Sequence, residues 1–151
     1  MADVVDRATR SRMMSGIRGK DTSPELLLRR KLHREGFRFR LHRSELRGRP
    51  DIVLPGRRIA IFVHGCFWHR HEGCHWCTMP ASNAEFWSSK FDRNKERDAE
   101  AVAALREADW RVATVWECGL RPAFLDSTMA DLVRWIRGDA ALFESQLVRP
   151  R

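Results

Sequence analysis

The sequence predicts an α/β fold, a mixed central sheet flanked by helices on both faces. Three observations carry this. Short apolar runs bounded by turn residues, DIVL at 51–54, IAIFV at 59–63 and WRVATVW at 110–116, read as strands. Segments with apolar residues at helical spacing lie before, between and after them. The resulting order of helix, three strands, helix, strand and helix leaves a sheet that needs cover on two sides. With 151 residues, 43% of them apolar, one compact core is expected. We read a basic N-terminal arm over residues 1–22 and one domain over residues 23–151.

Each element has a local reason. Residues 1–22 are polar and basic, with a short apolar patch at Met13, Met14 and Ile17 and no core-forming periodicity. Ser23 and Pro24 read as the N-cap and first position of a helix, Leu26, Leu27, Leu28 and Leu32 give its buried stripe, and Gly36 stops it. FRFRLH, residues 37–42, alternates apolar and basic residues as a half-buried strand does. Arg47–Pro50 turns the chain into DIVL, and PGRR turns it back into the run 59–63, so these two runs should pair as a hairpin. Ser82 and Glu85 stand in capping-box spacing at the head of a long helix that ends near Ala108, its middle the highly charged KFDRNKERDAE. Trp110–Trp116 is the next strand. A loop with Cys118 and Pro122 follows, then a last amphipathic helix around Met129–Ile136 with Leu132, Val133 and Ile136 on one side.

The formal charge of +8 and a pI near 10.3 point to a polyanionic partner, and nucleic acid is the commonest one for a basic domain. Only Lys20, Lys31, Lys90 and Lys95 are lysines, so nearly all of the basic residues are arginine, whose planar fork suits phosphate oxygens and guanine edges. A G+C-rich genome would give the same bias. The start, MADVVDRATRSRMM, has no apolar segment of signal-peptide type, and IAIFV falls far short of a membrane span. A cytoplasmic protein without membrane contact is expected, and in a reducing compartment four cysteines read as metal ligands or free thiols rather than disulfides.

HGCFWHRHEGCHWC, residues 64–77, holds three of the four cysteines and four of the six histidines. On spacing alone, Cys66, His71, Cys74 and Cys77 bring three thiolates and an imidazole within reach of one Zn²⁺. Four protein ligands leave no open position, so such a site would be structural, and His64, His69 and His75 remain unspent. RPD at 49–51 and FVHG at 62–65 can bring Asp51 and His64 to one edge of a sheet, where a carboxylate and a carbonyl suit a hard cation such as Mg²⁺. Read alone, Asp51 could as well cap a turn and His64 fill a core. Phe67 and Trp68, with Trp87 beyond, are large rings beside a cationic surface. They could wedge between base pairs, or form an ordinary aromatic lid.

RMMSGIRGKDTSPE, GRPDIV, IFVHGCFWHRH, EFW, NKERD and WRVATVWEC, taken together and in this order, resemble the very-short-patch-repair DNA mismatch endonucleases over roughly residues 8–137. The resemblance implies a restriction-endonuclease-like core, a need for Mg²⁺, and a nick beside the thymine of a T·G mismatch left by deamination of 5-methylcytosine. It implies Asp51 and the carbonyl of Val63 as Mg²⁺ ligands, His64 and His69 as active-site histidines, and Glu25 as an acid that orients a histidine or the hydrated metal. In the wider nuclease superfamily a second acid and a lysine follow the Pro-Asp; here Phe62 and His64 stand at those places. The DNA-inserting side chains become Phe67, Trp68 and Trp87, with Met14 and Ile17 from the arm. For zinc the resemblance replaces one ligand, giving Cys66, His71, Cys74 and Cys118, with Cys77 able to substitute for either of the last two.

The resulting expectation is a DNA endonuclease acting on a mismatched duplex as a monomer, with contact to other repair proteins as a further partner. Two alternatives are a nuclease of perfectly paired DNA and a zinc-braced DNA-binding module without catalysis. Matched and mismatched duplexes with and without Mg²⁺ distinguish all three.

Overall fold

A computed structural model describes residues 21–151, and the expectations for the arm, including Met14 and Ile17, lie outside the described residues. The first helix, α1 (Ser23–Arg34), is capped one residue earlier than expected. Thr22 is extended and its hydroxyl accepts the Glu25 N–H at 3.4 Å, which moves Ser23 inside the first turn beside Pro24. Leu28 and Leu32 are fully buried and tie the helix to the sheet. The chain leaves through Gly36, whose φ of +93° suits only a residue without Cβ.

The expected strand 37–42 shrinks to β1 (Arg40–Leu41). The Phe37 N–H is spent on the Leu32 carbonyl at the end of α1, and His42 takes a φ of +46°, keeping only a long 3.4 Å bond to the Asp51 carbonyl, so the regular strand is short at both ends. The hairpin forms as read: β2 (Ile52–Leu54) and β3 (Ile59–His64) pair antiparallel, Ile52 opposite Ile61, across a short 3₁₀ turn at Pro55–Arg57. Next comes α2 (Ala84–Glu107), a crossover that returns the chain to β4 (Arg111–Trp116), parallel to β3 from Ile59↔Arg111 to His64↔Trp116. The N-cap position at its head falls one residue later than expected. Asn83 holds the N-cap position at φ +56° without a side-chain cap bond, so the helix starts past Ser82.

After a 3₁₀ turn at Glu117–Leu120, α3 (Leu125–Arg137) carries the chain to β5 (Leu142–Glu144), parallel to β4. That strand was not expected. It is three residues long and its Leu142 is 56% exposed, so no apolar pattern announces it. The mixed sheet has the order β1-β2-β3-β4-β5. Alternation along the strands splits the core, as the sequence implied. Ile59 and Ile61 of β3 with Ala113 and Val115 of β4 face α1 and α3, through Leu28, Leu32, Leu132 and Ile136. Ala60, Phe62 and Val112 face α2, through Ala101 and Leu105. Burying each large aliphatic side chain contributes roughly 1.5–3 kcal/mol, so both faces of the sheet are held by apolar packing. No helix among the described residues is long and apolar enough to cross a membrane.

Candidate active site and metal centre

The loop before β2 is shaped by backbone needs. Gly48 lies at φ +80°, with its Cα against α2, and a Cβ there would stand 2.5 Å from the Ala101 Cβ. Arg49 follows at φ +50°, its N–H on the Leu46 carbonyl at 3.1 Å. These turns deliver Asp51 beside the end of β3, where its Oδ2 accepts the Val63 N–H at 2.7 Å. Burial pushes the Asp51 carboxyl up to about 7, and nearby Glu25 adds to this, while the Val63 N–H and Arg29 pull the other way. A carboxylate made costly in this manner gains from a cation. In an extended strand the N–H and C=O of one residue face the same side, so the Val63 carbonyl faces the edge where Asp51 sits. The two expected ligands therefore fit a hard cation.

His64 ends β3 and is buried, its ring stacked on His69 with centroids 3.8 Å apart and planes 5° from parallel. Burial first, and the adjacent His69 second, draw the His64 imidazole down to about 3 against the pull of Asp98, so it is neutral near pH 7. Nδ1 of His69 lies 2.7 Å from Oδ2 of Asp98, and Nε2 of His64 lies 3.9 Å from the other oxygen. A carboxylate can only accept, so Nδ1 of His69 carries a proton, and in the neutral ring Nε2 is the nitrogen with the lone pair. Asp98 was not singled out in the sequence. It stands on α2 in the charged run NKERD, 29 residues from His69, and only the β3–α2–β4 crossover brings the two together.

Glu25 is buried, with 3% of its surface exposed, yet its histidine partner is neither His64 nor His69. Its Oε2 accepts from the Asp21 N–H at 2.9 Å and from Arg29 at 3.2 Å, and sits 3.2 Å from Nε2 of His42. Glu25, Asp51, Val63, His64, His69 and Asp98 all line one cleft of about 570 Å³.

One buried Cys/His tetrad has the geometry to hold a metal ion. Cys66, His71, Cys74 and Cys118 are buried and offer ligand atoms that all lie within 4.8 Å of one another. Nδ1 of His71 is 3.7 Å from Sγ of Cys66 and 3.5 Å from Sγ of Cys118. A tetrahedron with Zn–S and Zn–N bonds of ordinary length has an S–N edge of about 3.6 Å, so the donor set fits Zn²⁺. This corrects the assignment from spacing alone. Cys77 is buried in the same apolar cluster but outside the tetrad, because the 3₁₀ turn after β4 brings Cys118 in instead. Trp116 stacks on the His71 ring at 4.2 Å and fixes its plane.

Between histidines and tetrad lies the aromatic lobe. Phe67 and Trp68 are half-buried and meet edge to face at 4.9 Å. Asn94 of α2 donates to the Trp68 carbonyl at 3.2 Å, and Arg70 donates to the Phe67 and Thr78 carbonyls while lying 4.1 Å over the Phe91 ring. Trp87 is only 5% exposed, packed against Phe67, Trp68 and Phe91. Its neighbour Phe86 is 57% exposed, so as it stands the lobe presents Phe86 to solvent and keeps Trp87 inside.

The family model described as DNA mismatch endonuclease Vsr matches residues 2–76. The type II nicking enzyme V.XorIIP of Xanthomonas oryzae is 48% identical over 120 residues, which cover 80% of this chain and 88% of that protein. The DNA mismatch endonuclease Vsr of Escherichia coli is 44% identical over 144 residues, 93% of this chain and 92% of its own length. The type II nicking enzyme V.NmeAIP of Neisseria meningitidis is 38% identical over 138 residues, covering 91% of this chain and 98% of its own.

Proposed function

Since the chain belongs to the Vsr family of DNA mismatch endonucleases and is an endonuclease, we propose that it cuts one strand of a duplex beside the thymine of a T·G mismatch, with Mg²⁺, in repair of deaminated 5-methylcytosine. The observation that carries the chemistry is the meeting of Asp51, stacked His64 and His69, and Asp98 in one cleft beside an aromatic lobe. The names of the two nicking relatives support a one-strand cut, and the charge of +8 suits a DNA partner. We read the mixed five-stranded sheet with its flanking helices as the restriction-endonuclease-like core that the resemblance implies.

In this reading Asp51 and the Val63 carbonyl would hold Mg²⁺, which would supply positive charge at the phosphate being cut. His69 removes the proton of the attacking water through Nε2, because Asp98 holds Nδ1–H and stabilises the imidazolium that forms. His64, neutral and stacked on His69, lies beside the phosphate or its leaving oxygen. Glu25 lines the cleft and acts at one remove, its carboxylate held by Arg29 and set against His42. Phe67 and Trp68, joined by Trp87 when the lobe opens, wedge beside the mismatch, where a weakened stack lowers the cost of unstacking. The tetrad would hold Zn²⁺, which would keep that lobe rigid. A monomer suits a target without two-fold symmetry.

The test is cleavage of an end-labelled duplex with one T·G mismatch, beside the matched duplex, with Mg²⁺ and with EDTA. A nick in the thymine strand only, dependent on Mg²⁺ and lost in Asp51→Ala and His69→Ala, is expected. Equal cutting of both duplexes would point instead to a nuclease of paired DNA, and binding without any cut to a non-catalytic module.

A further inference from the structure

The cleft must accept a phosphodiester, yet four carboxylates line it: Glu25, Asp51, Asp98 and Glu117. Two of them are answered within the protein, Glu25 by Arg29 and Asp98 by His69. Against them, the cleft wall carries two guanidinium groups, Arg49 and Arg97. Several other arginines around the fold are engaged. Arg29 holds Asp21 and Glu25, Arg58 holds the Ala108 carbonyl, Arg106 the Trp110 carbonyl, and Arg111 the carbonyls of Trp135, Ile136 and Ala140. The side chains of Arg49 and Arg97 have no hydrogen-bond or ion-pair partner among the described residues, and both are exposed.

Their placement is specific. Arg97, Asp98 and Ala101 share the face of α2 that lines the cleft, so Arg97 is held next to the partner of His69. Arg49 sits two residues before Asp51 at φ +50°, a left-handed conformation that a residue with a Cβ adopts only when something requires it. A guanidinium also matches two phosphate oxygens at once, which an ammonium cannot.

We propose that Arg97 is a further catalytic residue, its guanidinium on the non-bridging oxygens of the phosphate being cut, and that Arg49 anchors a neighbouring phosphate of the same strand. This rests on the endonuclease reading above. In the step concerned, water loses a proton to His69 and its oxygen bonds to phosphorus. The bond from phosphorus to the leaving sugar oxygen breaks, and that oxygen takes a proton from solvent water, while His69 later returns its proton to solvent. Arg97 exchanges no proton; its contacts strengthen as negative charge gathers on the non-bridging oxygens. Arg49 binds ground state and transition state alike, which changes affinity rather than rate.

The experiment is single-turnover nicking of the T·G duplex with Mg²⁺ at saturating protein, with DNA affinity measured separately in EDTA over a range of salt. Arg97→Gln should slow the saturated rate roughly 100- to 1000-fold with affinity within about 5-fold, and Arg97→Lys should fall between Gln and parent. Arg49→Gln should weaken binding about 10-fold or more, lower the salt slope by about one, and leave the saturated rate within about 5-fold. Both side chains are exposed, and circular dichroism melts would confirm folding; Arg97→Lys keeps the stem and the charge if Gln does not fold. A parent that fails to nick T·G DNA defeats the proposed function itself. A parent that nicks, with Arg97→Gln and Arg97→Lys as fast at saturation, overturns the role of Arg97 alone.

Discussion

Gly48→Ala tests how tightly the loop that carries Asp51 is pressed onto the helix that carries Asp98. At φ +80° an L residue costs about 1–2 kcal/mol. The new methyl would also stand 2.5 Å from the Ala101 Cβ and 3.3 Å from the Phe62 ring, where carbon atoms normally meet at about 3.5–4 Å. The Ala101 methyl cannot swing aside, so loop or helix must move, at about 1–3 kcal/mol for an overpacked core. The sum, about 2–5 kcal/mol, corresponds to a fall in Tm of roughly 6–15 °C for a chain of this size. Ala101→Gly alone costs about 2 kcal/mol from helix propensity and a lost buried methyl. Because it also removes the obstructing carbon, the double variant should be about 1–3 kcal/mol more stable than the two single losses predict. Calorimetric melts of the four proteins at fixed metal content give the cycle. A Gly48→Ala variant melting within 2 °C of the parent (~0.5 kcal/mol), or a double variant with strictly additive losses, refutes the close approach.

Three further outcomes follow from the site. Cys118→Ala should lose bound zinc and melt well below the parent, as should the parent after chelation, whereas Cys77→Ala should keep its zinc; metal content by mass spectrometry decides, and the reverse pattern restores the assignment from spacing. Asp98→Asn should lower saturated nicking by roughly 10²–10⁴ with DNA affinity little changed, since an amide no longer dictates the tautomer of His69, and an unaltered rate would remove Asp98 from the mechanism. In EDTA, Asp51 holds its proton up to about pH 7 when folded but only to about pH 4 when unfolded, so between these values the folded state binds more protons and stability falls as pH rises. Asp51→Asn still accepts the Val63 N–H and escapes this loss, so it should be about 2–4 kcal/mol more stable than the parent at pH 8 and no more stable at pH 4; a variant less stable at pH 8 contradicts the burial cost.

Much of the architecture was legible because apolar alternation along the chain is the same thing as two-sided packing in the sheet. The hairpin 52–64, the long helix, the strand ending at Trp116 and the last helix all declared themselves in this way. What was not legible depends on partners remote in sequence. FRFRLH alternates like a strand, but the end of α1 claims its first N–H. The LFE strand has too few buried side chains to leave a pattern. At the site, Asp51, His64 and His69 sit in a recognisable local setting, while Asp98 is one acid among many on a charged helix and becomes special only across the crossover. Cys118 entered through family resemblance, since no local spacing links it to Cys66. Trp87 was chosen as an aromatic ring, and nothing in EFW tells which of its two rings faces inward.

The place of Cys118 in the candidate metal tetrad has a consequence for how the chain assembles. Cys66 and Cys118 follow the ends of β3 and β4, two strands whose parallel pairing places His64 opposite Trp116. The segment between them is long, roughly 50 residues, and closing such a loop costs about 3–4 kcal/mol of chain entropy before any contact repays it. A slip of two residues in the β3–β4 pairing would displace Cys118 by about 6–7 Å, out of reach of the other three ligands. Metal capture by this tetrad would therefore act as a check on strand registration. Only chains whose parallel strands have found the correct alignment can complete the tetrad, and those are also the chains in which α2, threaded between the two cysteines, has brought Asp98 up to His69.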